Sequence, residues 1–313
     1  MQKIQIGISS CLLGQEVRYD GAHKYNSYIE QTLGQYFSFR PFCPEVESGM
    51  GIPRPTIQLL ETSAGIRCVG VKDPSMDVTE RLEAVSRQQH EWLAGLCGYI
   101  LKKDSPSCGK ERVKVYKNQV PTRKGTGIFA AYVQDTFPEL PVEDEGRLGD
   151  PVLRENFVQR VFVLHRWRQL RSQPLSTHAL MVFHSRHKLI AMSHNQNTAR
   201  ILGRLVADTK PDTLEAEAQR YISLLMACLK KPATRKNHVN VLQHIQGYLK
   251  TKLDGDDKQE LIDSIERYRL EQLPLIVPLT LLRHHFRRQP DAFIDASYYM
   301  QPHPGELALL NDI

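Results

Sequence analysis

The chain has 313 residues, which is enough for two domains of ordinary size. No run of eighteen apolar residues occurs, and the N-terminus lacks the apolar stretch and cleavage site of a signal peptide, so we expect a cytoplasmic protein without a membrane partner. The net charge of +6 is concentrated in residues 151–206, where nine Lys and Arg face a single acidic residue. Such a block favours a polyanionic partner.

The first half of the chain alternates short apolar runs with helix-like segments. This rhythm predicts an α/β domain, built on a mainly parallel sheet with flanking helices. The predicted strands are residues 4–8, 37–42 and 99–101, and the predicted helices are residues 26–36 and 77–96.

The pattern changes near Asp150-Pro151, where an N-cap residue precedes a proline at the first helical position. We place the domain boundary between about 142 and 150, with one domain over residues 1–145 and another over 150–313. Apolar residues at three- and four-residue spacing then predict an all-α second domain with only loops and at most one short extended piece between its helices. The predicted helices are residues 151–170, 196–206, 212–230, 234–253, 257–271 and 278–286.

Three of the six cysteines follow predicted strands, in loops rich in Ser, Gly and Pro. They are Cys11, Cys43 and Cys108. Ligands of an open parallel sheet collect outside the carboxyl ends of its strands, so we expect the three thiols to converge. Convergent thiolates suit zinc, copper(I) or an iron–sulfur cluster, although a buried cysteine is more often a small core residue. We assign the remaining cysteines, Cys68, Cys97 and Cys228, to packing.

A carboxylate, Glu45, stands two residues after Cys43. In a partly desolvated cleft beside a metal centre, it is a candidate general acid or base.

The motifs around these residues resemble a known family. Ser9–Gly21 (SSCLLGxxVRYDG), Phe42–Pro55 (FCPEVxSGMGIPRP) and Leu101–Gly109 (LKxxSPSCG) resemble the TudS family of thiouracil desulfidases across most of residues 1–145. The second half resembles the YbgA-type domain of unknown function in LGRLVA (Leu202–Ala207), RKNHVNVLQHIQGYLK (Arg235–Lys250) and LPLIVPLTLLRHH (Leu273–His285). The combination resembles the tRNA 4-thiouridine desulfidases (RudS).

The resemblance implies that Cys11, Cys43 and Cys108 hold a 4Fe-4S cluster whose fourth iron is open. It also implies catalytic roles for Glu45 and Ser105. Lys102 is a further candidate for such a role. The implied reaction is non-redox hydrolysis of a carbon–sulfur bond, which converts 4-thiouridine in tRNA to uridine. The thiocarbonyl sulfur would leave onto the open iron while Glu45 activates water.

The choice between tRNA and a free base as substrate depends on the second domain. Four arginines fall largely on one face of the first predicted helix of this domain, and we expect them to contact RNA phosphates: Arg160, Arg166, Arg168 and Arg171. Trp167 and Tyr221 could stack on bases, but helix packing is the more ordinary role for both.

Three alternatives remain open from the sequence. The enzyme could act on free thiouracil, with the helical domain serving for dimerisation. The chain could instead be an RNA-binding protein whose cluster is structural or senses oxidants. The second domain could also serve a purpose unrelated to RNA, such as DNA repair.

Overall fold

The computed structural model describes residues 3–303. The outermost residues of the two predicted domains, 1–2 and 304–313, lie outside this range. The chain divides between Asp150 and Pro151 into two compact units, each of which is described by itself. None of the helices within residues 3–303 is long and apolar enough to cross a membrane.

The first unit contains two four-stranded sheets among its described residues. Its strands are β1 (Ile4–Ser9), β2 (Phe37–Phe42), β3 (Ile57–Thr62), β4 (Gly65–Gly70), β5 (Tyr99–Leu101), β6 (Val113–Lys117), β7 (Val120–Gly125) and β8 (Val142–Asp144).

The sheet that positions the site has the strand order β2-β1-β5-β8, and all three pairings are parallel. Ile6 and Ile8 of β1 are fully buried. A Cβ at Gly7 would lie 2.4 Å from the ring of Tyr99, so only glycine lets the neighbouring strand carry this aromatic side chain. The parallel order brings the carboxyl ends of β1, β2 and β5 to one edge.

The second sheet has the order β4-β3-β6-β7 and mixes antiparallel with parallel pairings. Its buried face centres on Leu59, Cys68 and Val115. The sequence analysis did not predict these strands. The reason is visible in β7, whose first five residues are exposed, so the strand shows no apolar alternation.

The helices of the first unit are short: α1 (Pro44–Glu47), α2 (Thr79–Gln88), α3 (His90–Ala94) and α4 (Ile128–Thr136). The long helix predicted over residues 77–96 is interrupted at Gln89, which separates α2 from α3. The helix predicted over residues 26–36 is instead a π turn at Tyr28–Thr32 followed by a 3₁₀ turn at Leu33–Gln35.

The described part of the second unit is entirely helical. Its helices are α5 (Pro151–Arg171), α6 (Thr177–His194), α7 (Gln196–Asp208), α8 (Leu214–Leu229), α9 (Arg235–Gly247), α10 (Gly255–Arg269), α11 (Ile276–Arg288) and α12 (Ala292–Ala296).

Helix α6 lies in a region where the sequence analysis expected only loops and a short extended piece. This expectation was wrong because α6 has no simple apolar stripe: polar side chains such as His187, Ser193 and His194 are buried along with apolar ones. The predicted fold class is confirmed: an α/β unit with a mainly parallel sheet precedes an all-α unit.

Candidate active site

Three cysteines lie just beyond the carboxyl ends of parallel strands. Cys11 sits in the 3₁₀ turn after β1, Cys43 directly follows β2, and Cys108 lies in the loop after β5. All three are unpaired thiols that line one cavity of about 350 Å³. The shared edge of the sheet therefore brings together residues that are far apart in the sequence.

The surroundings of these thiols favour their neutral form when no metal is bound. Burial raises the pKa of the Cys11 thiol to about 11. Burial also raises the pKa of Cys43, although the backbone amides of Val46 and Glu45 oppose this shift by donating to its sulfur. The pKa of Cys108 is raised by burial and by the charges of Cys43 and Glu45. Cys43 interacts electrostatically with both other thiols, so the three form one coupled group.

Glu45 is held from both sides. Its Oε2 accepts a hydrogen bond of 2.8 Å from Arg54 Nε and lies 2.7 Å from Arg54 Nη2. Its Oε1 accepts a hydrogen bond of 2.6 Å from the Ser107 hydroxyl. Arg54 is itself buried and anchored, since Nη1 donates to Gly51 O and Nη2 to Val17 O. The carboxylate is therefore fixed in one orientation at the cavity wall.

Two serine hydroxyls connect Glu45 to the loop that carries Cys108. Ser105 Oγ accepts hydrogen bonds from the backbone amides of Ser107 and Cys108, at 3.2 and 3.1 Å. It also lies 3.0 Å from Ser107 Oγ, which in turn donates to Glu45. Because Ser107 gives its proton to Glu45, Ser105 is the donor between the two hydroxyls. The chain Ser105, Ser107, Glu45 is a continuous path for a proton.

The donor set fits an iron–sulfur cluster. The Ser9 hydroxyl donates to the sulfur of Cys108, which stabilises a thiolate. Within residues 3–303, no three His, Cys, Asp or Glu side chains are arranged to hold a single metal ion. A cluster does not require such an arrangement, because each thiolate binds a different iron. Three thiols that line one cavity fit this mode of binding.

Comparison with known proteins matches each half of the chain to a family. Residues 6–145 match a family model described as 2-thiouracil desulfurase, and residues 188–304 match one described as a protein of unknown function, DUF1722. A solved structure, that of the 4Fe-4S-dependent thiouracil desulfidase TudS, is 30% identical over 47% of this chain and 95% of its own, with a TM-score of 0.39.

Two uncharacterized proteins are also similar. YbgA of Escherichia coli (strain K12) is 34% identical over 151 residues, which make up 48% of this chain and 89% of YbgA. YbbK of Bacillus subtilis (strain 168) is 28% identical over 149 residues, which make up 44% of this chain and 95% of YbbK. The two family models and the similarity to YbgA show that the chain is a TudS-like domain fused to a YbgA-type domain.

Lys102 of the TudS-like domain lines the same cavity, but its ammonium group is already engaged. It forms a salt bridge with Glu145 and donates to Lys103 O at 3.0 Å. The Lys102 amide donates to Ser9 Oγ at 3.0 Å. These contacts give Lys102 a role in holding the strand-end loops together, and its charge lowers the pKa of Cys11 against the larger effect of burial.

The other cysteines do not line the cavity. Cys68 is fully buried in the core of the second sheet, Cys97 is buried, and Cys228 is half-buried with its sulfur 3.9 Å from Ala191 O. Packing accounts for these three residues.

The four arginines selected on α5 of the YbgA-type domain do not share an open face. Arg160 is buried, with 6% of its surface exposed. Arg166 packs its guanidinium 3.6 Å from the centre of the Tyr298 ring and donates to Pro302 O at 2.7 Å. Burial lowers the pKa of Arg166 to about 10. Arg160 therefore lies in the interior of the domain, and Arg166 is half-buried with its guanidinium already engaged.

The other two arginines, Arg168 and Arg171, are more accessible, but they do not form a continuous surface for phosphates. Arg171 is exposed and donates to Glu215 at 2.7 Å, and Arg168 is half-buried. The expectation of one arginine face on α5 is therefore corrected. A helical wheel shows which residues share a side of a helix, but not which side is covered by α6 and α8. Trp167 and Tyr221 stack on each other in this core, 6.0 Å apart, so neither is available to a base.

Two residues that hold Glu45 were not predicted from the sequence to contact it. Arg54 lies in the GIPRP motif and Ser107 in the SPSCG motif, so both stood in segments that carried the resemblance. Their contacts with Glu45 depend on loops that meet only in the folded chain.

Proposed function

We propose that this chain is an iron–sulfur-dependent desulfidase that converts 4-thiouridine in tRNA to uridine. The observation that carries the proposal is the cavity at the strand ends, which is lined by Cys11, Cys43, Cys108, Glu45 and Ser105. The match of residues 6–145 to the 2-thiouracil desulfurase family supports this chemistry. A tRNA substrate would also place the enzyme in the cytoplasm.

The three cysteines would hold a 4Fe-4S cluster. When bound, such a cluster with three protein ligands supplies an open iron, a Lewis acid that polarises a thiocarbonyl sulfur. The protein supplies the remaining chemistry.

Glu45 is the proposed general base. It takes a proton from water, whose oxygen attacks C4 of the pyrimidine, and the proton then passes to the ring or to the leaving sulfur. Arg54 holds the carboxylate in place during both steps. The net reaction adds water and releases hydrogen sulfide, so no electron donor or acceptor is required.

Ser105 is proposed to move or donate a proton through Ser107. After Glu45 has taken a proton from water, the proton can pass through Ser107 to Ser105, and the Ser105 hydroxyl can then donate to the base edge or to the leaving sulfur. We assign Lys102 a positioning role, because its ammonium is paired with Glu145.

A groove in the YbgA-type domain supports RNA as the substrate class. It has a volume of about 680 Å³, runs between α6 and α7, and carries Lys188, Arg200 and Arg204 without any acidic side chain in its described lining. Arg200 and Arg204 are exposed, and Phe293 offers an aromatic surface beside Lys188. This groove provides the uncompensated positive charge that a phosphate backbone requires, which the α5 arginines do not.

The test is anaerobic purification followed by an absorption spectrum, iron analysis and incubation with tRNA that contains 4-thiouridine. Mass spectrometry of the digested nucleosides should show 4-thiouridine replaced by uridine. Free 4-thiouracil is assayed in parallel. Equal or faster turnover of the free base would contradict the tRNA assignment, and failure on both substrates would contradict the desulfidase assignment.

A further inference from the structure

Tyr99 is a buried tyrosine of the TudS-like domain. It is the first residue of β5, the strand that leads to Cys108, and its side chain is fully buried. Its hydroxyl makes no hydrogen bond within residues 3–303. A phenol that is removed from water and left without an acceptor destabilises a fold, whereas a phenylalanine in the same place would not. The hydroxyl therefore requires an acceptor that the described part of the chain does not supply.

The ring of Tyr99 is held by three neighbours. It lies against Gly7 of the adjacent strand, where two of its atoms come within 2.4 Å of the position that a Cβ would occupy. Phe129 packs edge-on against it, with 5.5 Å between ring centres, and Trp92 lies 6.4 Å away. Because close packing on these sides fixes the ring, the hydroxyl cannot turn out to solvent to find a partner.

The ionisable groups that act on this hydroxyl are cysteines of the candidate cluster site. Burial raises the pKa of Tyr99, and the charges of Cys108 and, more weakly, Cys43 raise it further. The phenol therefore keeps its proton and remains able to donate it. Packing links Tyr99 to the same loop, since its ring partner Phe129 donates its backbone amide to Ser107 O at 2.9 Å.

Binding of a cluster would change the acceptor strength of the Cys108 sulfur. Without a metal, burial favours the neutral thiol, which is a weak hydrogen-bond acceptor. Coordination to iron removes the thiol proton, and a thiolate in a buried site is a much stronger acceptor. The Ser9 hydroxyl already donates to this sulfur. A thiolate has room for a second donor, and Tyr99 is the buried donor beside it that lacks a partner among the described residues.

We propose that the Tyr99 hydroxyl donates a hydrogen bond to the Cys108 thiolate in the cluster-loaded protein. The proposal rests on the cluster that the proposed function requires. Tyr99 is not among the residues that line the cavity, so it is a positioning residue that acts through Cys108. By drawing electron density from this ligand, the hydrogen bond would make the iron a stronger Lewis acid and hold the ligand in place.

The experiment compares Tyr99→Phe with the wild type in the cluster-loaded, full-length protein. A redox titration followed by EPR gives the reduction potential of the cluster. Reduction adds negative charge, which a donor at the ligand stabilises, so the variant should have a lower potential. Release of iron to a chelator should be roughly tenfold faster, since the ligand loses a supporting hydrogen bond.

The metal-free protein should respond differently, because there the hydroxyl has no strong acceptor. In chelator-treated protein, Tyr99→Phe removes a buried donor without a partner, so the denaturant midpoint should stay the same or rise. In the cluster-loaded protein the midpoint should fall. An equal fall in both forms would mean that the hydroxyl serves the fold itself, for instance through a bound water, and would overturn the proposal.

Two further variants calibrate the result. Tyr132→Phe is the matched control, because it removes a phenol hydroxyl of the same domain that lies 3.2 Å from His90 Nδ1 and outside the cavity lining. It should leave the potential and the rate of iron release unchanged. Ser9→Ala removes the other donor to Cys108 and should lower the potential, as Tyr99→Phe does. A shift in Ser9→Ala without one in Tyr99→Phe would overturn the proposal.

Desulfuration assays keep this inference separate from the proposed function. If Tyr99→Phe shifts the potential but the wild type desulfurates neither thiolated tRNA nor 4-thiouracil, the role of Tyr99 stands and the proposed function is rejected. If the wild type is active but Tyr99→Phe matches it in potential and iron release, the role of Tyr99 is rejected and the function stands. A wild-type protein that binds no iron after anaerobic purification would reject both.

Discussion

The TudS-like and YbgA-type domains assemble their polar residues in different ways. In the first, Cys11, Cys43 and Cys108 come from distant segments and line one cavity. In the second, Arg160 and Arg166 come from neighbouring turns of one helix, yet Arg160 is buried and Arg166 packs half-buried on Tyr298, whereas Arg171 is exposed. Residues that are close in sequence therefore need not act together, and residues that line one site can be far apart in sequence.

The difference follows from the secondary structure. Parallel strands in one sheet must end at the same edge, so residues just after β1, β2 and β5 meet whatever their sequence separation. A helix has no such fixed open end along its length. Which of its faces reaches solvent depends on the helices that cover it, and in α5 the four arginines range from buried (Arg160) to exposed (Arg171).

The largest effect should come from removing the cysteines at the strand ends. Alanine at Cys11, Cys43 or Cys108 removes one of the three proposed cluster ligands, so each variant should lose nearly all of the iron that the wild type carries after anaerobic purification. Iron analysis and the visible absorption spectrum measure this loss.

The three packing cysteines provide the control. Cys68→Ala, Cys97→Ala and Cys228→Ala should keep their iron, although the buried Cys68 can cost stability. Equal iron loss in all six variants would mean that strand-end position does not mark the ligands.

The same reasoning explains which parts of the molecule could be predicted. The strand-end cysteines, Glu45 and Ser105 were accessible to sequence analysis, because each lies within a few residues of a recognisable apolar strand or within a family motif. Arg54 was not, because its link to Glu45 depends on the fold of the loop before β3. The exposed strand β7 and helix α6, whose buried residues mix polar with apolar side chains, also lacked periodic signals, since periodicity reports a difference in polarity between two faces.

The next largest effect should come from the carboxylate beside the cluster site. Glu45→Gln keeps the shape of the side chain but removes its proton-transfer capacity, so turnover should fall by about 10²–10⁴ while iron content stays unchanged. Steady-state desulfuration and iron analysis test the two parts of this expectation. Full activity of Glu45→Gln would require another base.

The serine chain should show a graded effect. Ser105→Ala should lower turnover less than Glu45→Gln, because water can replace one hydroxyl in a proton path. Ser107→Ala removes the direct hydrogen bond to Glu45 and should be at least as damaging as Ser105→Ala. The control is Ser75→Ala, which removes an exposed hydroxyl bonded to Asp73 and should keep full activity. A harmless Ser107→Ala would remove the relay from the mechanism.

The two domains should also differ in their response to acid. Four buried or half-buried histidines of the YbgA-type domain have pKa values lowered mainly by burial, to about 4 in two cases and about 3 in the others: His184, His194, His187 and His238. As the pH falls below about 6.5, the unfolded chain binds protons that the folded domain cannot, so stability falls. Each histidine contributes up to about 1.4 kcal/mol per pH unit. The TudS-like domain contains only His23 and His90, and both are exposed.

The two tryptophans report on the two domains separately. Trp92 lies in the TudS-like domain and Trp167 in the YbgA-type domain, so Trp167→Phe and Trp92→Phe each leave one fluorescent reporter. Denaturant midpoints measured from pH 7 to pH 5 should fall for Trp167 and change less for Trp92. His187→Phe should reduce the slope for Trp167. A pH-independent Trp167 midpoint would show that these histidines are not buried in their neutral form.

The smallest effect concerns the basic groove between α6 and α7, which takes the place of the α5 arginines in the tRNA proposal. Replacing Arg200 and Arg204 with alanine removes two exposed positive charges, so tRNA affinity should become less salt-dependent, by roughly 0.9 in logarithmic slope for each lost phosphate contact. Between 50 and 200 mM salt this corresponds to roughly a threefold change per contact.

Arg171→Ala is the matched control, because this exposed arginine is already paired with Glu215. Iron content and any activity on free 4-thiouracil should be the same in all variants, since the cysteines lie in the other domain. If Arg171→Ala weakens tRNA binding as much as the groove variant does, α5 contributes to the interface after all. If neither variant changes the affinity or its salt slope, the YbgA-type domain does not hold the RNA through this groove.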